Sequence, residues 1–520
     1  MKKIFSGLLT AFCCMLSAAS ADPAVEKLDA ILKKDWQKHD LVEVPKASDH
    51  TFLRRISLDI RGIQPTAWEI KKFVADKSPD KRTKIIGELL KSPEYADLLA
   101  MRYSDMFRIK SEFPINLWPN AVHAYHRYFL ENARNDKSFY TMARELLTSN
   151  GSNFRVPAAN FFRASANRTP AGLAQCTALS FLGMRYENFS DDRKKAFEEF
   201  FKCIRYKSTD EWKEEIVYND ITPQTINAGT PDGIDFTIET PDTDPRKVLA
   251  DWMTSKSNRY FARACVNRIW SWFMGSGIVE PADDMPLPET FWNKISITTP
   301  KGSQPSNPEL LEYLTDYFIQ NNGSVSKLIK LIVSSAAYNA NWKTIKNQQQ
   351  KAEQRFAAFR VRRLDSEIFT DILCKVLNTS ESYSSVIPEP FTFLPHGTRA
   401  VQITDGSISS RVLDSFGRPP RDSGRISERK RVIDDSQRLF LMNSRWIYDN
   451  AMKFQRRWNK KRMNFREKVN DTYLTILARP ATEEEIKICR KYNAHLKKQW
   501  IFWGELVWSL INSKEFIYQH

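Results

Sequence analysis

SPDKRTKIIGELLKSPEYADLLAMRYSDM, residues 78–106, decides the fold class. Ser-Pro occurs in it twice, at Ser78-Pro79 and Ser92-Pro93. Serine offers a side-chain cap, and proline suits the first helical position because its missing N–H would have no partner there anyway. Behind the first pair Ile85, Ile86, Leu89 and Leu90 recur at helical spacing, and behind the second Leu98, Leu99, Met101 and Met106 do the same. The stretch predicts two short helices joined by a tight turn.

The device continues in both directions. Asp22-Pro23 precedes Val25, Leu28, Ile31, Leu32 and Trp36, and Thr66 with Glu69 forms a capping box ahead of Ile70, Phe73 and Val74. Asp244-Pro245 opens a run through Leu249, Trp252 and Met253 that Phe261 to Phe273 continues; Asn307-Pro308 and Ser324 open two more. Only 17 glycines in 520 residues, against 32 phenylalanines and 14 tryptophans, favour helices over a loop-rich or sheet-rich protein. The expectation is a mainly α protein of two helical domains, with long irregular loops and at most a few short strands. From Tyr218 the spacing dissolves into Thr, Pro, Gly and Asn, and Ile234 to Ile238 alternates as a strand would. The predicted division is a leader over 1–21, a domain over 22–217, a connection over 218–244 and a second domain over 245–520. Residues 281–305 and 384–427 read as long irregular loops, which in compact proteins tend to be functional.

The leader is an export signal. Lys2 and Lys3 precede an apolar core ending in Ala19-Ser20-Ala21, an Ala-x-Ala cleavage site that leaves Asp22 as the mature N-terminus. The core is too short to span a bilayer and no later segment is suited to it, so no transmembrane segment is expected in the mature chain. The expected location is the periplasm, the cell surface or the medium. Removing two lysines leaves a formal charge of 16 − 2 = +14. Export argues against nucleic acid as the partner of this basic chain and favours an acidic polymer of the envelope or medium. Five cysteines remain (Cys176, Cys203, Cys265, Cys374 and Cys489); they are scattered and odd in number, so they form no disulfide framework and no CxxC site.

Several residues invite chemistry, each with a structural alternative. Glu280, Asp283 and Asp284 are the best carboxylate cluster, able in principle to hydrolyse a glycoside or bind calcium, or simply to cap and solvate a loop. Asp59 with Arg54, Arg55 and Arg61 suits acid/base work or anion binding, or an interhelical ion-pair network. Arg418 and Arg421, with Asp422, present planar guanidinium groups that match sulfate or carboxylate. His123 and His126 are spaced to share a metal with Glu131, but HExxH is absent and the aromatic residues around them favour a packing face.

Residues 52–66 (FLRRISLDIRGIQPT), 89–95 (LLKSPEY) and 103–107 (YSDMF) resemble the planctomycete cytochrome-type domain, domain of unknown function 1549. Residues 251–255, 261–263, 266–270 (VNRIW), 277–281 (GIVEP), 305–311 (PSNPELL), 416–419 (FGRP) and 441–444 resemble its companion, domain of unknown function 1553. The resemblance implies an exported bacterial protein without established activity, in the context of sulfatase-like proteins and polysaccharide metabolism. A co-encoded secreted sulfatase-like protein is thus an implied partner. The chain departs from the resemblance twice. Where many such domains carry a CxxCH-like stretch, this chain has Met184-Arg-Tyr-Glu-Asn188, and where cysteines often follow the Phe-Gly-Arg-Pro motif it has Ser423-Gly-Arg-Ile-Ser427. Haem, and any other cofactor, is therefore not expected. The functional expectation is a scaffold or binding component associated with the metabolism of polysaccharide, an anionic or sulfated polymer included. A hydrolase or lyase is the alternative, and a redox protein is disfavoured by the missing CxxCH.

Overall fold

The computed structural model describes residues 22–220, 222–287, 304–344, 348–432, 434–458, 462–496 and 498–520. The leader with its cleavage residues Ala19 and Ala21, and most of the 281–305 loop, lie outside the described residues. The chain is mainly α. Among the described residues no helix is long and apolar enough to cross a membrane.

Most helices begin where local chemistry places them. Asp22, Thr66, Ser92, Asp244, Asn307 and Ser324 each accept a backbone N–H at a helix start, and Thr66 and Glu69 form the reciprocal capping box. Ser78 does not cap. Its N–H and hydroxyl both donate to Asp76 Oδ1, at 2.8 and 2.7 Å, so the helix starts later, as Lys81–Leu89 behind Asp80. The run after Asp244 is two helices, Pro245–Thr254 and Arg259–Met274, because Asn258 caps the second anew through Tyr260 N.

Among the described residues two large hydrophobic cores form beside a small cluster of Ala400, Ile403, Ile408 and Leu413, and neither large core stops at the 218–244 connection. The first contains Leu28, Trp36, Phe52, Phe107, Phe129 and Phe181, and continues through Phe261, Leu314, Ile332 and Phe359. The second gathers residues from Leu364 to Ile517 and adds Leu58, Leu98 and Met101. The helices Asp49–Arg61 and Pro93–Met106 thus serve both cores: Ile56 and Leu99 face the first, Leu58 and Leu98 the second. A helix walled in on two faces has little water to offer its polar side chains, and Arg54, Arg55 and Ser57 are accordingly buried.

The connection itself is a hairpin, Gln224–Gly229 antiparallel to Asp235–Thr240, with Ile226 opposite Ile238 and both in the first core. Gly151–Ser152, Glu215–Asn219 and Ile204–Ser208 form a small antiparallel sheet with Glu215–Asn219 in the middle. Arg362–Arg363 pairs with Tyr518–Gln519. The 384–427 segment is irregular apart from short turns at Ala400–Gln402, Arg411–Ser415 and Ile426–Glu428. Cys176, Cys203, Cys265, Cys374 and Cys489 are free, with Cys203, Cys265 and Cys489 buried.

Candidate anion-binding site

A π-helical turn, Ala178–Leu182, ends the helix Pro170–Thr177, and Gly183 follows in the left-handed region at φ +60°. The Gly183 carbonyl accepts from Met285 N at 2.8 Å, which fastens this turn to the acidic segment. The chain then presents Met184 to Glu187 to a cavity of about 270 Å³. Arg108, from the turn after Pro93–Met106, lines another wall, and Asp422, Ser423 and Arg425 supply the third. The two places where the chain departs from its resemblance therefore face one another, joined by Arg425 Nη2 donating to Glu187 Oε1 at 2.6 Å.

The 416–431 loop is sewn to the first core along its length. Lys110 Nζ donates to Asp422 Oδ1 at 2.6 Å, and Ile426 N donates to Asp283 Oδ2 at 2.9 Å. Gly424, at φ +78°, lies so close to the preceding layer that a Cβ there would stand 2.7 Å from the Met106 carbonyl oxygen. Arg429 donates to Asp105 Oδ2 and to Glu367 Oε2, each at 2.6 Å. Arg102 and Arg431 both bond to Asp365, at 2.6 and 3.3 Å. Burial opposes the charge on Asp365, yet Arg102, Arg429 and Arg431 outweigh it and hold the carboxyl well below its ordinary range. Glu367 is likewise held at about 2, its burial overcome chiefly by Arg429.

Guanidinium groups exceed carboxylates around the opening. A recess of about 40 Å³, lined by Arg102, Arg268, Arg425, Arg429 and Arg431 against one acid, Asp105, shares Arg425 with the larger cavity. In the larger cavity Glu187 is engaged by Arg425 and Asp422 by Lys110, which leaves Arg108 and Arg185. Arg108 is 1% exposed. Its Nε donates to the Ala164 carbonyl at 2.6 Å and its Nη1 to Ser180 Oγ at 3.1 Å, but Nη2 has no acceptor among the described residues. Arg185 reaches Asp283 and Asp284 only at 3.8 and 3.6 Å, and its Nε also lacks an acceptor. A buried donor without an acceptor is costly, and these two join Arg55 Nη2, Arg363 Nη1 and Arg421 Nη2 among the buried guanidinium nitrogens left without one.

The residues singled out in the sequence fall in several places. Asp283, 1% exposed, and Asp284 lie behind the cavity as a support for Arg185 and for Ile426 N, and Asn188 Nδ2 donates to Asp284 Oδ1 at 3.2 Å. Burial raises the Asp284 carboxyl despite Arg185. Glu280 turns back to accept from Gly277 N at 2.7 Å. Asp59 is elsewhere, accepting from Arg362 Nη2 at 2.7 Å and the Tyr338 hydroxyl at 2.8 Å. Arg54 donates to the Phe516 and Tyr518 carbonyls, both at 3.0 Å, and Arg55 to those of Tyr338, Ala340 and His520 while stacked on Phe359. Arg61 pairs with Glu69 at 2.8 Å. These groups form interhelical networks, and the structure does not bring them to the cavity.

Arg418 and Arg421 are also buried. Arg418 donates to the Ile408 and Asp405 carbonyls; Arg421 donates to Asp105 at 2.9 Å and to the Thr404 carbonyl at 2.8 Å. They brace the loop that carries Arg425 and do not line either opening. His126 is buried beside Arg421, and burial first, then Arg421 and His123, push it down to about 3. His123 Nδ1 lies 3.3 Å from Thr404 Oγ1. Among the described residues no three His, Cys, Asp or Glu side chains stand close enough to share a metal ion.

Arg108, Arg185 and Arg425 had not stood out in the sequence. Arg425 sits in the noted Ser423–Ser427 departure and Arg185 in the Met184–Asn188 one, which was the available signal; nothing local marks Arg108. Residues 27–202 match the family described as protein of unknown function (DUF1549), and residues 245–493 match protein of unknown function (DUF1553). No curated protein and no solved structure matches.

Proposed function

The chain carries a DUF1549 segment followed by a DUF1553 segment, two families described as of unknown function, and from that premise we propose that it is an exported binding component which holds an anionic polysaccharide at the arginine-lined cavity between the two segments. The observation that carries this reading is Arg108, a buried guanidinium with one amino group unsatisfied, lining a cavity beside Arg185 and Arg425. A planar guanidinium meets sulfate or carboxylate oxygens in pairs, with better geometric match than an ammonium group. The +14 charge of the mature chain adds long-range attraction for a polyanion. Export is supported by Lys2, Lys3, the apolar run and Ala19-Ser20-Ala21. The acids near the cavity accept from Asn188, Gly277 and Ile426, which suits support better than proton transfer.

The test follows polymer length and protein retention together, using the mature chain with sulfated and carboxylated polysaccharides. Retention that fades as salt rises, without shortening of the polymer, is expected. Shortened chains would replace binding by a hydrolase or lyase reading, and no retention on any polyanion would overturn the proposal.

A further inference from the structure

Among the described residues two acids line the larger cavity, Glu187 and Asp422, and they are neutralised from opposite sides. Asp422 accepts from Lys110 Nζ at 2.6 Å, and Lys110 is not part of the lining. Glu187 Oε1 accepts from Arg425 Nη2 at 2.6 Å and from Gln175 Nε2 at 3.0 Å, and both donors belong to the cavity wall. A carboxylate of the chain itself thus stands on one of the arginines assigned above to the ligand.

Glu187 lies in the short turn Tyr186–Asn188, whose neighbours hold it on both sides: the Tyr186 hydroxyl donates to Glu198, and Asn188 Nδ2 donates to Asp284 Oδ1 at 3.2 Å. With the turn pinned, the Glu187 carboxylate needs only side-chain rotation to leave Arg425. Its side chain is 49% exposed and that of Arg425 is 35% exposed. An ion pair so open to water is weak, because solvent screens it and two long side chains lose freedom in holding it. A ligand therefore opens it at little cost, and what decides the outcome is how the ligand's own anionic group compares with the carboxylate it displaces.

We propose that Glu187 is a specificity-determining residue of the arginine cavity, a built-in carboxylate competitor that makes the cavity select sulfate esters over sugar carboxylates. The proposal rests on the anionic-polysaccharide reading for its ligand class. A sugar carboxylate brings two oxygens and at Arg425 only replaces one carboxylate by another, so the exchange gains little there. A sulfate ester brings three free oxygens. Two match the Arg425 guanidinium, and the third remains for Arg108 or Arg185, which line the same cavity of about 270 Å³ and each hold a nitrogen without an acceptor among the described residues. Specificity is a difference of affinities, and a feature that works against the wrong ligand supplies it as well as one that favours the right ligand. Without the Glu187 charge, Arg425 would take either anion.

The experiment measures retention of the mature full chain on dextran sulfate and on carboxymethyl dextran of matched charge density, so that backbone and charge are common and only the anionic group differs. The parent protein should prefer the sulfated polymer. Glu187→Gln, which removes the charge and keeps the shape, should raise retention on carboxymethyl dextran about two- to five-fold, the scale of a half-exposed ion pair, and raise it less on dextran sulfate. Asp422→Asn removes the same charge from the same cavity without freeing a cavity arginine, and should leave the preference between the two polymers as it is. Equal retention of the parent on both polymers, or a preference for the carboxylated one, overturns the selectivity and leaves the cavity reading standing. A Glu187→Gln variant that fails to narrow the preference does the same, as does an Asp422→Asn variant that narrows it equally. Retention of the parent on neither polymer overturns the cavity reading itself, and the selectivity with it.

Discussion

Asp283 accepts the Ile426 backbone N–H at 2.9 Å, and through that bond a carboxylate beside the first core fixes the loop that carries Arg425. Asp283 is 1% exposed, with Arg185 3.8 Å away and Arg268 as a further source of positive charge. Its geometry is that of a brace, since its oxygen is occupied by the loop it holds.

Asp283→Ala should therefore lower stability by about 1–3 kcal/mol, the cost of leaving a buried N–H without an acceptor. Asp283→Asn keeps an oxygen for Ile426 N and should lose less. Urea unfolding of the two variants checks the ordering, and equal losses would show that the charge, not the hydrogen bond, is what the loop requires.

Glu367 gives a pH dependence with a definite sign. Burial works against its charge, but Arg429 and Arg418 bring it down to about 2 from the ordinary 4.5. A carboxyl whose folded-state pKa is depressed contributes stability that is complete above about pH 4.5 and is lost as pH falls toward 2. Glu367→Gln leaves the buried Arg429 and Arg418 short of a counter-charge and should cost about 3–5 kcal/mol at neutral pH. It should also flatten the acid limb of stability, which urea titrations from pH 2.5 to 7 would show.

Gly424→Ala combines two penalties. The residue sits at φ +78°, where a side chain costs about 1–2 kcal/mol, and the new Cβ would press on the Met106 carbonyl and on Arg108 Nη1, 2.7 and 3.0 Å away. Loss of stability should be accompanied by weaker retention on polyanions, because the displaced guanidinium is that of Arg108. Unaltered retention in a destabilised variant would separate the loop from the ligand site.

Helix starts were legible because caps act over three or four residues. Ser92, Asp244 and Asn307 needed no tertiary information, and Thr66 with Glu69 formed a closed pair. Ser78 misled because a nearer acceptor, Asp76, captured its hydroxyl. The arginines chosen from the sequence, Arg54, Arg55, Arg418 and Arg421, stood in conspicuous motifs, and motif density there reflects burial between cores. The cavity depends on three arginines from distant segments, whose juxtaposition only the packed loop creates. Its clue lay in where the chain parts from its resemblance: Arg185 and Arg425 stand within the two departures.

The last expectation concerns folding. The composition change at 218–244 marks a natural place to divide the chain, but the first core continues through Phe359. The N-terminal helix Pro23–Lys38 illustrates why this matters. Trp36 Nε1 donates to the Arg355 carbonyl at 2.9 Å, Lys34 pairs with Glu309 at 2.8 Å, and the Ala24 carbonyl accepts from the Tyr313 hydroxyl at 2.7 Å. Phe139 stacks on Phe261, which lies beyond the connection, and Tyr140 and Phe181 meet the same ring at a tilt. A fragment of residues 22–217 would expose these rings and leave the Pro23–Lys38 helix without its partners. Burying a phenylalanine stabilises by roughly 1.5–3 kcal/mol, and a domain has only about 5–15 kcal/mol of net stability, so losing several such contacts is decisive. The fragment should show helical far-ultraviolet dichroism without a cooperative thermal transition, whereas residues 22–520 unfold cooperatively. A sharp transition in the fragment would show that the residues before the connection fold independently, despite the shared core.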